Sequence, residues 1–435
     1  VAAWHRRAAC AQESHVITRK ELASVLGKRN LADWVIVERA QDIACIDEQT
    51  KSRRVEHRVV WQVTVHFDSP AGRGSAHVTI DAVDGVASAA IDQAIALAQS
   101  SIGPAWISRP LAAPARVKLE DVTLAKQEPI DVAAEVLAKL TRPSEVSARV
   151  RVVREQVNVI ARQGFHTEWT ATLLHCDALV SAGNHSLVIA REARQRSALD
   201  VNAALANAKQ DLDLLAKAGP PAPGPCALVL DADAMLHDGL GVWAAFASQA
   251  DAVVERQGLT RYREHAPIVP GAEQTTEPLT ITSNGALDYA VRSAPLGDQG
   301  DAVRTFKLVD RGVAAGLGLT PREGALRGRD PNGGVRNLEV ETGTWPGAFE
   351  TGSLRVIELR RLRSLTIDPY TGDASVEIAL GIEHMKGASK PFTGGSMRID
   401  LIGSLAKAKR SVRLITRGAY KGPDAVWIDH AELIV

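Results

Sequence analysis

Any fold of this chain has to bury the run Cys226-Ala227-Leu228-Val229-Leu230, which is stopped by Asp231. A half-solvated strand would alternate, so a short unbroken apolar segment ending on a charge reads as a strand covered on both faces. A helix is expected next. Asp231 or Asp233 can cap it, and Leu236, Leu240, Trp243, Phe246, Ala250 and Val253 recur at helical spacing as one apolar stripe. Gly239 and Gly241 fall in its first turns, where each costs about 1 kcal/mol relative to alanine. Either something packs closely against the backbone there or the helix begins later. His237 and Asp238 lie beside the stripe, so His237-Asp238-Gly239-Leu240-Gly241-Val242 is the segment with the make-up of a metal-binding helix.

Upstream, the pattern predicts a sheet with covering helices. Thr18 to Leu26 reads as a helix opened by a threonine cap. Val55, Val59, Trp61, Val63, Val65 and Phe67 alternate with polar residues as a half-buried strand; Ser69-Pro70-Ala71-Gly72 turns the chain, and His77 to Ile80 returns antiparallel. Asp84 is expected to cap a helix carrying Ile91, Ile95, Leu97 and Ile102. Asp131 opens another, with Val132, Val136, Leu137 and Leu140 on one face and Pro143 at its end. Runs at Val146–Val152, Val157–Ala161, Thr167–Leu174 and Leu187–Ala190 then read as an antiparallel meander with turns at Gly164 and Gly183-Asn184, and Arg149, Arg151 and Arg154 mark its solvated face. Asp200 caps a long helix, Val201 to Ala218, ended by Gly219 and the semi-rigid spacer Pro220-Pro221-Ala222-Pro223-Gly224-Pro225. The expected class is α+β: residues 1–219 an antiparallel or mixed sheet with covering helices, 220–225 a linker, and 226–435 a β-rich second domain.

At 435 residues, with 45% hydrophobic and 23% charged, the chain can build two or three domains with sizeable cores. Its 51 basic residues balance 51 acidic ones, which removes the broad positive field that nucleic acid or an anionic membrane would require. No apolar run approaches the roughly 20 residues of a membrane-crossing helix. Cys10, Cys45, Cys176 and Cys226 are too widely spaced for a CxxC pair, so four inert thiols in a reducing compartment are expected. No signal peptide opens the sequence, and the cytoplasm is the expected location.

The second half is mainly short strands and glycine turns: Pro278 to Ser283, Arg304 to Asp310 with the turn Arg311-Gly312, Val335 to Glu341, Thr366 to Ser375 around the turn Asp368–Asp373, Glu377 to Glu383, Ser396 to Ile402, and Ala425 to Val435. Asp298, Asp301 and Asp373 stand among glycines. Turn capping explains them more economically than calcium, because EF-hand spacing is absent.

Several of these segments, in this order, resemble the TldD/TldE (PmbA) family of peptide-processing metallopeptidases, proteins once called modulators of DNA gyrase. The resemblance is carried by Leu279-Thr280-Ile281-Thr282, Gly297-Asp298-Gln299-Gly300 before Arg304-Thr305, Leu308-Val309-Asp310-Arg311-Gly312-Val313, Arg336-Asn337-Leu338-Glu339-Val340 with Gly343, Thr371-Gly372-Asp373-Ala374-Ser375, and Gly381-Ile382-Glu383 with Lys390-Pro391. Weaker similarity reaches residues 55 to 103. The resemblance implies an N-terminal sheet domain and a C-terminal β-rich domain of TldD/PmbA type. It also implies a heterodimer in which the D-type subunit carries an HExxxH zinc helix and a C-terminal cysteine ligand, while the E-type subunit lacks both.

In this chain the zinc-helix position reads HDGLGV. His237 matches the first histidine, Asp238 replaces the glutamate, and Val242 stands where the second histidine would be. Valine has no lone pair, and one histidine falls short of the three protein ligands a catalytic zinc generally takes. Asp238, a methylene shorter than glutamate, would also reach poorly as a general base. Arg417-Gly418-Ala419-Tyr420-Lys421-Gly422 passes through the C-terminal region without a cysteine.

The resemblance therefore implies an E-type subunit with no cofactor of its own. Zinc is expected in a TldD-like catalytic partner, and the substrate is a small or unfolded peptide. A homodimer is the alternative assembly. The competing hypotheses are a stand-alone hydrolase, in which His237 and Asp238 would be joined by His265, Cys226 or His384, and a peptide-binding scaffold acting without a peptidase. The neutral charge balance disfavours a gyrase-linked role.

Overall fold

The computed structural model describes residues 18–81, 87–107, 111–140, 145–162, 164–347 and 354–435. Thr18 opens helix α1 (Arg19–Gly27) with a capping box, in which its hydroxyl accepts from the Glu21 N–H and the Glu21 carboxylate accepts from the Thr18 N–H. The first sheet is entirely antiparallel. It contains β1 (Asp33–Asp47), β2 (Ser52–Ser69), β3 (Gly72–Asp81), β4 (Val146–Ala161), β5 (His166–Ala182) and β6 (His185–Ala193), in the order β3-β2-β1-β4-β5-β6. The meander and its hairpin form where the alternation predicts them, although the two runs at Val146 and Val157 are one continuous strand. β1 escapes the pattern reading. Trp34, Val35, Ile36 and Val37 are all buried, so this central strand has no period of two at its start.

Among the described residues, α1 and four further helices cover this sheet or lie beside it: α2 (Ala87–Ser100), α3 (Val122–Ala125), α4 (Pro129–Leu140) and α5 (Val201–Leu215). α1 and α2 pack with β1–β3 around Leu22, Trp61, Val63 and Ile91, and α4 and α5 with β4–β6 around Val136, Val150, Leu174 and Leu212. α2 lies directly on the strand backbone: a Cβ at Gly74 would fall 1.7 Å from the Ala98 carbonyl oxygen. The caps expected from Asp84 and the end expected at Pro143 lie outside the described residues. Asp200 stands at the cap position of α5, but with φ 44° and no side-chain capping bond. The proline segment that follows is held by the strand Ala388–Phe392 and by the start of the strand Val356–Ile367: Gly219 bridges Phe392, and the Arg355 guanidinium donates to the carbonyls of Ala222, Pro223 and Gly224.

The remaining chain builds two further sheets. β7 (Gly224–Leu230) leads into α6 (Ala232–Met235), α7 (Ala244–Gln249) and α8 (Ala252–Arg256); β8 (Ile281–Asn284), β9 (Thr305–Asp310) and β10 (Val313–Ala314) precede α9 (Pro321–Leu326) and β11 (Asn337–Val340). β12 (Val356–Ile367), β13 (Asp373–Met385), β14 (Ala388–Phe392) and β15 (Ser396–Asp400) follow, then α10 (Leu401–Lys407), β16 (Lys409–Arg410), β17 (Leu414–Arg417), β18 (Tyr420–Pro423) and β19 (Val426–Leu433). One sheet runs β10-β9-β8-β11-β18-β17. The other runs β14-β13-β12-β7-β19-β16, with β15 also on β13. The architecture is mixed α+β, as expected, and β7 is buried on both faces between parallel β12 and antiparallel β19. The strand expected at Ser396–Ile402 ends at Asp400, whose carboxylate accepts from the Gly403 N–H and starts α10.

A buried charge network joins the first sheet's layer to the last. Asp211 on α5, 1% exposed, receives Arg360 Nε and Nη2 at 3.2 and 3.1 Å and Arg361 Nε at 2.7 Å. Consecutive strand residues normally point to opposite faces. Here a bulge resolves the conflict: Leu359 pairs with Gly381 and Arg361 with Leu380, leaving Arg360 as an extra residue so that both arginines reach one carboxylate. Asp211→Asn leaves two desolvated guanidinium groups short of their counter-charge, and the expected loss is about 3–5 kcal/mol in the free energy of urea unfolding. A loss within experimental error would show that this network does not hold the layers together.

Candidate functional site

The site is built on β7, the strand covered on both faces. β7 delivers Asp231 to the end of the sheet, and its Oδ1 accepts from the N–H groups of Asp233 and Ala234 at 3.0 and 2.9 Å, capping α6. The expected long helix does not follow. α6 ends at Met235, the chain turns through Leu236–Leu240, and helical geometry returns as a 3-10 turn at Gly241–Trp243 before α7 and α8. Asp238, Gly239 and Gly241 have φ of 52°, 93° and 52°. A Cβ at Gly241 would lie 1.9 Å from the Met235 carbonyl oxygen, so the chain folds back onto its own first turn at a place where glycine alone fits. Leu236, Leu240, Trp243, Phe246 and Ala250 are all buried as their spacing suggested, but from several short pieces.

The turn separates the two ends of the motif. His237 and Asp238 line a cavity of 970 Å³, whereas Val242, 1% exposed, sits in the hydrophobic core. His237 Nε2 lies 3.4 Å from the largely exposed Asp238 carboxylate. Arg417, Gly418 and Ala419, from the region expected to lack a cysteine, line the same cavity, as do His175, Asp177 and His185 from the first sheet. Sequence reasoning thus named two segments that do meet in space. Tyr420 stacks on Trp243 with ring centroids 6.0 Å apart, which holds them together.

What fills the floor of the cavity was not read from sequence. Asp233 accepts Arg417 Nη1 at 2.7 Å, Arg191 Nη2 at 2.9 Å and Arg361 Nη1 at 2.9 Å. Burial pushes its carboxyl up, but the charges of Arg361, Arg417 and Arg191 outweigh that and bring it to about 2. Asp231 moves the other way: burial dominates over Arg360 at 3.3 Å, and its carboxyl is pushed up to about 7. Arg360-Arg361 inside a strand-like run is the one sequence signal that points to this network, while Asp233 reads from sequence as a possible cap.

Among the described residues, no group of three or more His, Cys, Asp or Glu side chains is placed to hold a metal ion. The other residues weighed as partners of His237 do not line this cavity. Cys226 Sγ donates weakly to the Ala431 carbonyl at 3.7 Å, the His265 N–H donates to the Ala314 carbonyl, and His384 is engaged by Glu358 and Ser389. Burial pushes the Cys226 and Cys176 thiols up to about 11 and about 12, so both are poor nucleophiles. Asp298 is exposed near Arg39 and Arg336, and Asp373 lies near Arg261. Asp301 is buried, which pushes its carboxyl up to about 6, and it lines a separate 310 Å³ cavity with His66 and Trp106. The turn at 368–373 is capped by Asp368 rather than Asp373, through the N–H groups of Tyr370 and Thr371.

No family model and no curated protein matches the sequence. Solved structures do match the fold. TldE from Thermococcus kodakarensis superposes with a TM-score of 0.73 at 14% identity, covering 96% of this chain and 99% of its own. This chain has the TldE fold. A candidate modulator of a DNA gyrase from Thermotoga maritima gives 0.73 at 12% identity over 95% of this chain and 98% of its own, and one from Bacteroides thetaiotaomicron gives 0.72 at 15% over 96% and 99%. In this TldE fold no helix among the described residues is long and apolar enough to cross a membrane.

Asp231 supplies a pH signature. Its folded-state pKa lies above the unfolded value, so the neutral form contributes stability that is complete below about pH 4 and is lost as pH rises through about 7. Asp231→Asn, which mimics the neutral form at every pH, should gain stability relative to the native chain between pH 5 and pH 8 in urea unfolding. A constant difference across that range would contradict the assignment.

Proposed function

We propose that this chain is a TldE-type subunit without a metal centre of its own, and that it acts beside a TldD-type zinc peptidase on small or unfolded peptides. The observation that carries the reading is the turn at 236–241. It sends His237 and Asp238 to the cavity and Val242 to the core, so the positions that would form a zinc helix do not share a site. The guanidinium groups of Arg191, Arg361 and Arg417 surround Asp233 beside them, an environment that disfavours a divalent cation electrostatically. The near-complete overlap with the TldE fold supports the assignment, as does the resemblance across residues 279–391.

In this reading the cavity is architectural space facing the partner's substrate path, and a cytoplasmic location follows from the proposed role. The chain has polar strand edges to offer an extended peptide, since backbone hydrogen bonding demands little of the peptide's sequence. A stand-alone hydrolase centred on His237 finds no support in the positions of Cys226, His265 and His384.

Elemental analysis of the purified chain tests the proposal directly. The expected result is zinc well below one equivalent, together with cleavage of an unfolded peptide that appears when a TldD-type subunit is added and is absent with either chain alone. One firmly held zinc per chain, or cleavage by this chain alone that a chelator abolishes, would overturn it.

A further inference from the structure

A serine, a histidine and a glutamate outside the cavity stand in the order of a nucleophilic relay. β13 and β14 are joined by Lys386-Gly387, both at positive φ, and the tight hairpin sets His384 directly opposite Ser389. His384 Nδ1 lies 2.9 Å from Ser389 Oγ, and its Nε2 lies 3.0 Å from Glu358 Oε2 on the neighbouring strand β12. An ionised carboxylate can only accept, so Nε2 carries the ring hydrogen and Nδ1 turns its lone pair to the serine hydroxyl. Burial pushes the Glu358 carboxyl up, but the hydrogen bond from His384 and the charge of Arg360 hold it below the ordinary range, so it is an anion at neutral pH. His384 and Glu358 side chains are 12% and 13% exposed, while Ser389 is exposed. The oriented base is therefore shielded and the nucleophile is open to solvent.

Strand parity supplies one more group. β14 is a terminal strand of its sheet. The Gly219 N–H donates to the Pro391 carbonyl and the Thr393 N–H to the Gly219 carbonyl, so the odd-numbered residues here turn their backbone groups away from β13. Ser389 shares that parity. Its own N–H points to the outer edge beside its hydroxyl, where a developing oxyanion could accept from it.

We propose that Ser389, His384 and Glu358 form a second reactive centre, an acyl-transfer site for small activated carboxylic esters at the outer edge of β14. Ser389 Oγ attacks the acyl carbon while His384 Nδ1 takes the hydroxyl proton; the carbon–oxygen bond to the leaving group breaks, and the imidazolium returns that proton to the departing alkoxide. Water, deprotonated by the same imidazole, then releases the carboxylic acid and restores the serine. Ser389 and His384 are the catalytic residues, and Glu358 is a positioning residue that fixes the tautomer. This centre is independent of the peptide-processing role.

The test is covalent capture on the full chain with a biotinylated alkyl fluorophosphonate, mapped by peptide mass. The serine–phosphorus bond forms, fluoride leaves, and the hydroxyl proton passes through the imidazole to solvent. Ser389 should label far faster than Ser375, an exposed serine on the same sheet, and Ser389→Ala should lose that label. His384→Asn should slow labelling by about 10²-fold, the usual contribution of a general base, with an unchanged unfolding midpoint. Glu358→Gln should slow it too, and Glu358→Asp, which keeps a carboxylate to accept from Nε2, should recover part of the lost rate. Labelling of Ser389 no faster than Ser375 in the native chain, or a rate indifferent to His384→Asn, overturns the proposal.

Discussion

Two buried carboxylates, Asp211 and Asp233, are shared by arginines that come from distant parts of the chain. Desolvating such charges is costly, and the attraction between them offsets the cost only in good geometry with the remaining hydrogen-bond capacity filled. That requirement acts on everything the charges are attached to. It sets α5 against β12, ties Arg191 on β6 to Asp233 in α6, and brings Arg417 of β17 to the same carboxylate. The bulge at Arg360 is the backbone's response, since two neighbouring arginines could not otherwise face one acid. Asp231 and Glu358 complete the set around Arg360.

The same network decides the character of the cavity above it. The family resemblance reads His237–Val242 as a metal-site helix with altered ligands, but the backbone there is not one helix. Gly239 and Gly241 permit a turn that a helix would not contain, and Gly241 is pressed against the Met235 carbonyl where any side chain would collide. A histidine introduced at position 242 would lie in the core rather than in the cavity. The TldE fold is thus compatible with a floor of paired charges where the family resemblance looked for metal ligands.

The hairpin of β13 and β14 shows another way in which sheet geometry assembles chemistry. Each member of the Glu358, His384 and Ser389 set has an ordinary structural reason to be there, as a cross-strand pair or a network acid. Their order, the shielding of the imidazole and the exposure of the hydroxyl are properties of three strand positions brought together by pairing. Nothing in the spacing of 358, 384 and 389 along the chain announces it.

Much of the fold was legible because it rests on local or periodic physics. The Thr18 cap, the hairpin turn after Phe67, the Gly183-Asn184 turn and the doubly covered run at 227–230 each follow from the hydrogen-bonding or burial needs of a few adjacent residues, whereas the expected alternation from Val55 fails, with Val55 exposed and Thr64 and His66 buried. The sequence by itself also determined that positions 237, 238 and 242 cannot supply the three ligands of a catalytic zinc, since valine offers no donor atom. Strand β1 was hidden because it is buried on both faces at its start, and β12 because its arginines interrupt any apolar pattern. Only the tertiary structure decided that the helix after β7 breaks, that Val242 faces inward, and that Arg191, Arg361 and Arg417 converge on Asp233. Those outcomes depend on pairings between residues as much as two hundred positions apart, and no local rule of period, cap or turn carries that information.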